Sequence, residues 1–177
     1  MNCIMGMRIL IRKMDDRILD FVHDKANCKF LNFVMPKITT LGDCGIIWII
    51  TAFILIGHPK YTVNGYLILV AQICGAIVGN VFLKHVFARP RPCWANTDIS
   101  LLIKLPKDYS FPSGHTLSSV TATIILIHTN AILGISAIMV CLAIIFSRMY
   151  LYVHYPSDIL GGVALGIIIS LILIKVV

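Results

Sequence analysis

The 177-residue chain contains no glutamate, and all eight of its acidic side chains are aspartates. Charged residues make up 13% of the sequence, about half the share of a soluble domain. Polar surface this scarce does not cover a water-soluble globule. Disorder, collagen-like repeats, coiled coil and a nucleic-acid-binding domain are disfavoured on the same composition. Paired-cysteine spacing is also missing. Cys3, Cys28, Cys44, Cys74, Cys93 and Cys141 form no Cys-x-x-Cys pair, and Cys44, Cys74 and Cys141 fall in apolar runs. They read as small buried hydrophobes, with neither a disulfide framework nor a zinc site. The N-terminus lacks a cleavable signal pattern, because charges at Arg12, Lys13, Asp15, Asp16 and Arg17 follow a mildly apolar start.

What the chain has is hydrophobicity: 58% of residues are hydrophobic and the mean hydropathy is +0.90. This predicts a small all-α, polytopic membrane protein whose residues 1–177 form one domain. Against the 8 aspartates stand 15 Lys and Arg, a net charge of +7. The excess implies a negative partner, either lipid headgroups in general or a specific anionic substrate.

Along the chain, residues 8–29 mix basic and acidic side chains. Ile11, Met14, Ile18, Phe21 and Val22 recur there at three- and four-residue steps. That pattern predicts an amphipathic helix at the membrane surface, within an interfacial segment 1–37. Pro36 and residues 39–43 predict a break. Apolar stretches follow at 44–57, 66–87, 113–146 and 159–177. The third would make about 51 Å of helix, too long for a bilayer core of about 30 Å. His128-Thr129-Asn130 is its predicted turn. The count is five spans, or six if residues 18–41 cross. Four of the seven prolines, Pro90, Pro92, Pro106 and Pro112, keep residues 89–112 out of regular helix. With five spans, the loops 88–112 and 147–157 share one face and can build one site.

Three clusters carry chemistry on that face: Lys84 to Pro92, Phe111 to His115, and Ser147 to Asp158. A lysine at a span end needs an anionic partner. Arg91 and Arg148 offer planar forks that suit phosphate oxygens. Ser113 and Gly114 open an apolar helix whose first N–H groups lack helical acceptors, a natural anion site. His115 and His154 are the titratable centres: one imidazole can attack phosphorus, the other can protonate the leaving oxygen. Asp158, four residues after His154, is placed to accept the Nδ1 proton and leave Nε2 free. Each feature alone has a plainer reading: a snorkelling lysine, a topology-setting arginine, a helix cap, an interfacial histidine, a first-turn acid. Together on one face those readings fail. His23, His58, His85 and His128 read as interfacial, as do Tyr150, Tyr152, Tyr155 and Trp94. No cluster has metal-ligand spacing.

The three clusters resemble the motifs of the type 2 phosphatidic acid phosphatase superfamily, which also includes the vanadium haloperoxidases. Lys84 with Arg91-Pro92 fits its first motif. Pro112-Ser113-Gly114-His115 fits the second. Ser147-Arg148, His154 and Asp158 fit the third. The stretch from Ile38 to Asp43, with Trp48, is also similar to small bacterial members. The resemblance covers roughly residues 15–175 and no key position departs from it. It implies a helical, metal-independent phosphatase without cofactor. In it His154 is the nucleophile of a phosphohistidine intermediate, and His115 is general acid, then general base. Asp158 orients His154, and Lys84, Arg91, Ser113, Gly114 and Arg148 hold the phosphate.

The expected activity is hydrolysis of a lipid phosphate of the undecaprenyl diphosphate, phosphatidylglycerol phosphate or phosphatidic acid class. The partners are that substrate and membrane lipids, with no nucleic acid, and the oligomeric state is open. The alternative is a small non-enzymatic anion transporter or channel with a basic vestibule, which predicts no dependence on His154. The expected location is the cell membrane, multi-pass, with the site on the extracytoplasmic face. Five spans would then place the seven basic residues of segment 1–37 outside, against the positive-inside rule.

Overall fold

The computed structural model describes residues 2–177; the side chains of residues 2–5 and of Arg8 lie outside the described set, the Cys3 thiol among them. Among the described residues the chain is all-α. Its helices are α1 (Asn2–Ala26), α2 (Lys29–Leu41), α3 (Ile46–Ile56), α4 (Thr62–Gly75), α5 (Lys84–Phe87), α6 (Pro92–Ala95), α7 (Gly114–Thr129), α8 (Ala131–Tyr150) and α9 (Pro156–Val176). Asn130 makes the predicted turn between α7 and α8: its side chain accepts from the Ile132 and Leu133 N–H groups and caps α8. Pro156 stands at the start of α9, where its missing N–H costs nothing.

The break expected from Pro36 and residues 39–43 falls at the end of that stretch, after Leu41. Pro36 lies inside α2, and the helix continues to Leu41. The chain turns at Asp43–Gly45, with Cys44 at φ 51° and Gly45 at φ 68°. Glycine reaches that left-handed region without steric cost. This turn bends α3 by 47° from α2.

Helix α7 is the axis of the bundle, packed by α3, α4, α8 and α9. Leu117, Ala122, Ile125 and Leu126 from α7 meet Trp48, Ile68, Ala71 and Ile144 in one core cluster. The axis is also polar. Trp48 Nε1 donates to Ser119 Oγ at 3.0 Å, and Gln72 Nε2 donates to the Ser118 carbonyl at 3.1 Å. Apolar side chains point the other way. Ile132, Ile135, Met139, Leu160, Leu171, Phe53 and Ile73 are all more than half exposed, a surface suited to hydrocarbon. Among the described residues three stretches are long and apolar enough to cross a bilayer, Thr62–Ala95, α8 and α9, and α2 with α3 make a fourth if the bent pair is one span. At 16 residues α7, expected as a span, is shorter than these.

Between α4 and α5 the backbone hydrogen bonding changes to π type over Ala76–Leu83. Bonding from i to i+5 winds extra backbone into the turn and resets which side chains face inward. Lys84, the next residue, is 6% exposed, whereas Ile77, Val81 and Phe82 face out.

Helices α1 and α2 pack on α8, and α1 also reaches the start of α9, at the end of the bundle where Lys84 emerges. Among the described side chains of α1, only Asp15 and Leu19 are buried, and Leu19 meets Tyr152 and Tyr155. The tyrosines expected at the membrane interface are therefore core residues. Tyr150, Tyr152 and Tyr155 are buried, with the hydroxyls of Tyr150 and Tyr152 donating to Asn32 and Asp20. A phenol with a fixed acceptor can be buried without losing its hydrogen bond.

Candidate active site

A cavity of about 1200 Å³ opens where α2, the Asp43–Gly45 turn, the start of α7, the end of α8 and the loops around 101–108 and 154 converge. Lys84, Arg91, Gly114, His115, Arg148 and His154 all line it, although they come from three separate stretches of chain. Asp43 and Asp108 line it as well.

Three of its cations are buried: Lys84, Arg91 and Arg148 are 6%, 2% and 4% exposed. Burying like charges together is unfavourable unless an anion compensates them. Part of that role falls to Asp108. Its carboxylate bridges the Lys84 ammonium and Arg91 Nη2, the latter at 2.8 Å. Arg91 Nε also donates to the Asp108 carbonyl at 2.8 Å. Burial works to raise the Asp108 carboxyl, but the two cations outweigh it and hold the group down at about 2. Arg148 is compensated least. One nitrogen donates to Thr39 Oγ1, and its buried Nε has no partner among the described residues. An orphaned buried donor costs about 1–3 kcal/mol, so an oxygen-rich anion reaching it would recover that energy.

His154 is 1% exposed. Arg91 Nη1 lies 3.1 Å from its Nε2. A guanidinium only donates, so Nε2 must present a lone pair and the ring proton sits on Nδ1. Nδ1 lies 3.4 Å from Ser110 Oγ and 3.7 Å from Asp158 Oδ2, and the Ser110 hydroxyl itself donates to that oxygen. The expected direct contact from Nδ1 to Asp158 is thus stretched, with Ser110 beside it. Asp158 is fully buried, and its Oδ2 also accepts from the Tyr155 N–H at 2.9 Å. Burial first, then Arg91, Arg148 and Lys84, push the His154 imidazole well below its ordinary value. The ring stays neutral, its Nε2 lone pair directed toward the cations.

His115 stands on the first turn of α7, with Nε2 2.9 Å from Asp43 Oδ1. The ring lies against the turn after α2. A methyl group at Gly42 would sit 2.6 Å from its Cδ2, so glycine is needed there for the close approach. Ser113 does not line the cavity. Its Oγ accepts from the Thr116 N–H and hydroxyl, and its own N–H donates to the Asp158 carbonyl at 3.1 Å. It caps α7 and ties that cap to α9. Gly114 lines the cavity, and its bare Cα faces the Asn80 side chain, whose Oδ1 would lie 2.6 Å from an added Cβ. Among the described residues no group of three or more His, Cys, Asp or Glu could hold a metal ion.

Three residues of this network had no expected role from the sequence: Asp43, Asp108 and Ser110. One signal was available for Asp108, the only acidic residue between Asp98 and Asp158.

The profile described as PAP2 superfamily matches residues 65–177, a stretch that contains all three clusters. The chain belongs to the PAP2 superfamily. Among PAP2 relatives, an undecaprenyl-diphosphatase of Sulfolobus acidocaldarius is 32% identical, over 82% of this chain and 70% of its own. The undecaprenyl-diphosphatase BcrC of Bacillus subtilis is 29% identical, over 82% of this chain and 74% of its own. The crystal structure of a transmembrane PAP2-type phosphatidylglycerolphosphate phosphatase from Bacillus subtilis superimposes with a TM-score of 0.77 at 25% identity, covering 94% of this chain and 86% of that one. This PAP2 protein is accordingly a membrane phosphatase.

Proposed function

We propose that the protein is a single-domain, multi-pass phosphatase that hydrolyses a lipid phosphate at its membrane rim, with a polyprenyl diphosphate as first candidate and phosphatidylglycerol phosphate or phosphatidic acid next. The observation that carries this is the convergence of Lys84, Arg91 and Arg148 on the cavity that His154 lines, with Arg91 at its Nε2 and Arg148 Nε unpartnered among the described residues. The apolar outer surface supports a substrate whose tail stays in the bilayer. The two relatives named for undecaprenyl diphosphate support a diphosphate headgroup.

In this reading the phosphoryl oxygens displace the Asp108 carboxylate from Lys84 and Arg91 and reach Arg148. The Gly114 and His115 amides at the start of α7 add donors, held in aim by the Ser113 cap. Nε2 of His154 attacks phosphorus as the bond to the leaving oxygen breaks. His115 gives that oxygen a proton, with Asp43 as its charge partner. Asp158, with Ser110, takes the growing positive charge at Nδ1. Water activated by His115 then cleaves the phosphohistidine bond, releasing phosphate and restoring both histidines. The cations act most strongly on the transition state, where charge on the transferring oxygens is spread widest. We place the site on the extracytoplasmic face and α1 in the interface, its exposed Met14, Ile18 and Phe21 meeting lipid. Thiol labelling of Asn96→Cys with an impermeant reagent in intact cells reports that face.

The deciding experiment is phosphate release from a panel of lipid phosphates by purified protein in detergent, beside His154→Ala. The wild type should release phosphate and trap an acid-labile phosphoenzyme, and His154→Ala should lose at least roughly 10³-fold in turnover. Full turnover by His154→Ala, or an acid-stable adduct, overturns the mechanism.

A further inference from the structure

The buried carboxylate of Asp15 lies outside the family-matched stretch and outside every motif. It is 3% exposed on a helix whose neighbouring side chains, Met14 and Ile18, are 54% and 43% exposed. A carboxylate is buried in such a place only with strong partners. Asp15 has them. Oδ1 accepts from the Ser157 N–H at 2.9 Å, and Oδ2 accepts from Arg89 Nη2 at 2.7 Å and from the Ser157 hydroxyl. The other terminal nitrogen of Arg89 donates to Asp158 Oδ1 at 2.6 Å and to Ser157 Oγ at 2.7 Å. The guanidinium plane lies over the Tyr155 ring, 4.3 Å from its centroid. One arginine thus bridges two buried carboxylates, and the second of them stands beside His154 Nδ1.

We infer that Asp15 and Arg89 are positioning residues for the reaction, acting on His154 through Asp158. Two effects follow from the geometry. The first is orientation: with Oδ1 held by Arg89 and Oδ2 held by Tyr155 and Ser110, the Asp158 carboxylate is fixed in one orientation beside the imidazole. The second is charge. An Arg89–Asp158 pair alone would be neutral and a weak acceptor for the Nδ1 proton. A second carboxylate on the same guanidinium leaves the group net negative. That negative charge faces His154 from the side opposite Lys84, Arg91 and Arg148, and it supports the imidazolium character that grows at Nδ1 as Nε2 bonds to phosphorus. α1 is thereby part of the catalytic apparatus, which the resemblance alone does not assign to it.

The inference rests on the phosphatase reading of His154 and Asp158, and the test separates the two. Asp15→Asn keeps the shape and removes the charge. Its kcat should fall about tenfold, the usual scale for an outer partner of an active-site group, with KM within about twofold and the thermal midpoint near wild type. Arg89→Gln should lose a similar factor. The double variant should lose little more than either single variant, because both act on one carboxylate. Should Asp15→Asn fail to fold, Arg89→Lys, which keeps the charge but not the fork, must show the same kcat loss at constant KM. Wild-type kcat in a folded Asp15→Asn or Arg89→Lys, or losses that multiply in the double variant, overturn the inference while His154→Ala remains inactive. If His154→Ala is itself active, the phosphatase mechanism has failed first.

Discussion

Two histidine–aspartate pairs border the same cavity and are built in opposite ways. His154 and Asp158 are four residues apart, side chains 1% and 0% exposed, and Asp158 is held by Arg89, Ser110 and the Tyr155 N–H. His115 and Asp43 are 72 residues apart, joined by one contact of 2.9 Å, and the Asp43 side chain is 60% exposed. The first pair has its geometry set by the loop into α9 and cannot move without disrupting that junction. The second is assembled from two elements and open to water. A nucleophile that must strike one atom gains from the first arrangement. A group that gives a proton to a departing oxygen and takes one from water gains from the second.

The contrast can be broken residue by residue. Asp158→Asn preserves the shape of the closed pair and removes its charge, and kcat for phosphate release should fall roughly 10³-fold, the scale of removing the acid that orients a catalytic histidine. A loss below tenfold would erase the distinction between the pairs. Asp43→Asn should cost about tenfold on a lipid substrate. It should cost much less on an aryl phosphate whose leaving group needs no proton, so the ratio of the two activities is the measurement. Asp108→Asn should have the smallest effect and the opposite sign: with the competing carboxylate gone, inhibition by inorganic phosphate should tighten about threefold. Because Lys84 and Arg91 hold the Asp108 carboxyl down at about 2, that gain should stay constant above about pH 4. The same depression means that the ion pairs of Asp108 stabilise the fold above the ordinary carboxyl value of 3.8 and lose that contribution as pH falls through about 2. A thermal-denaturation series from pH 5 to 2 on wild type and Asp108→Asn checks the sign.

The residues legible in the sequence are those whose spacing is local. Lys84, Arg91, His115, Arg148, His154 and Asp158 sit at fixed intervals within short stretches, and they line or adjoin one cavity. The Asn130 turn and the start of α9 at Pro156 were legible for the same reason, since a cap acts within one turn. Long-range partners were not. Nothing local distinguishes Asp15 from Asp16, Asp20 and Asp24, and only the packing of α1 on α9 singles it out. Ser113 shows the limit from the other side: it was read as a phosphate contact, but its hydroxyl accepts from Thr116 and its N–H donates to Asp158. Pro36 and residues 39–43 were read together as a break, and the chain turns only at the end of that stretch, α2 running through Pro36 to Leu41. Helix α7 was read from its apolar run alone, which did not show that its serines and threonines and its four packed neighbours make it the inner axis of the bundle.

The π-wound stretch between α4 and α5 separates two tasks that a uniform helix would lock together. Upstream, Ile68 and Ala71 key α4 to the core; downstream, Lys84 is aimed at the anion site. In a regular α-helix each residue advances about 100°, so the seating of α4 alone would set the direction of the lysine. The wider turn sets a fixed angular offset between the face on which α4 packs and the side chain of Lys84. Removing one residue from Ala76–Leu83 would leave a good apolar helix and turn Lys84 about 100° toward the lipid. That lesion would be visible in no motif, since every signature residue would still be present and in order.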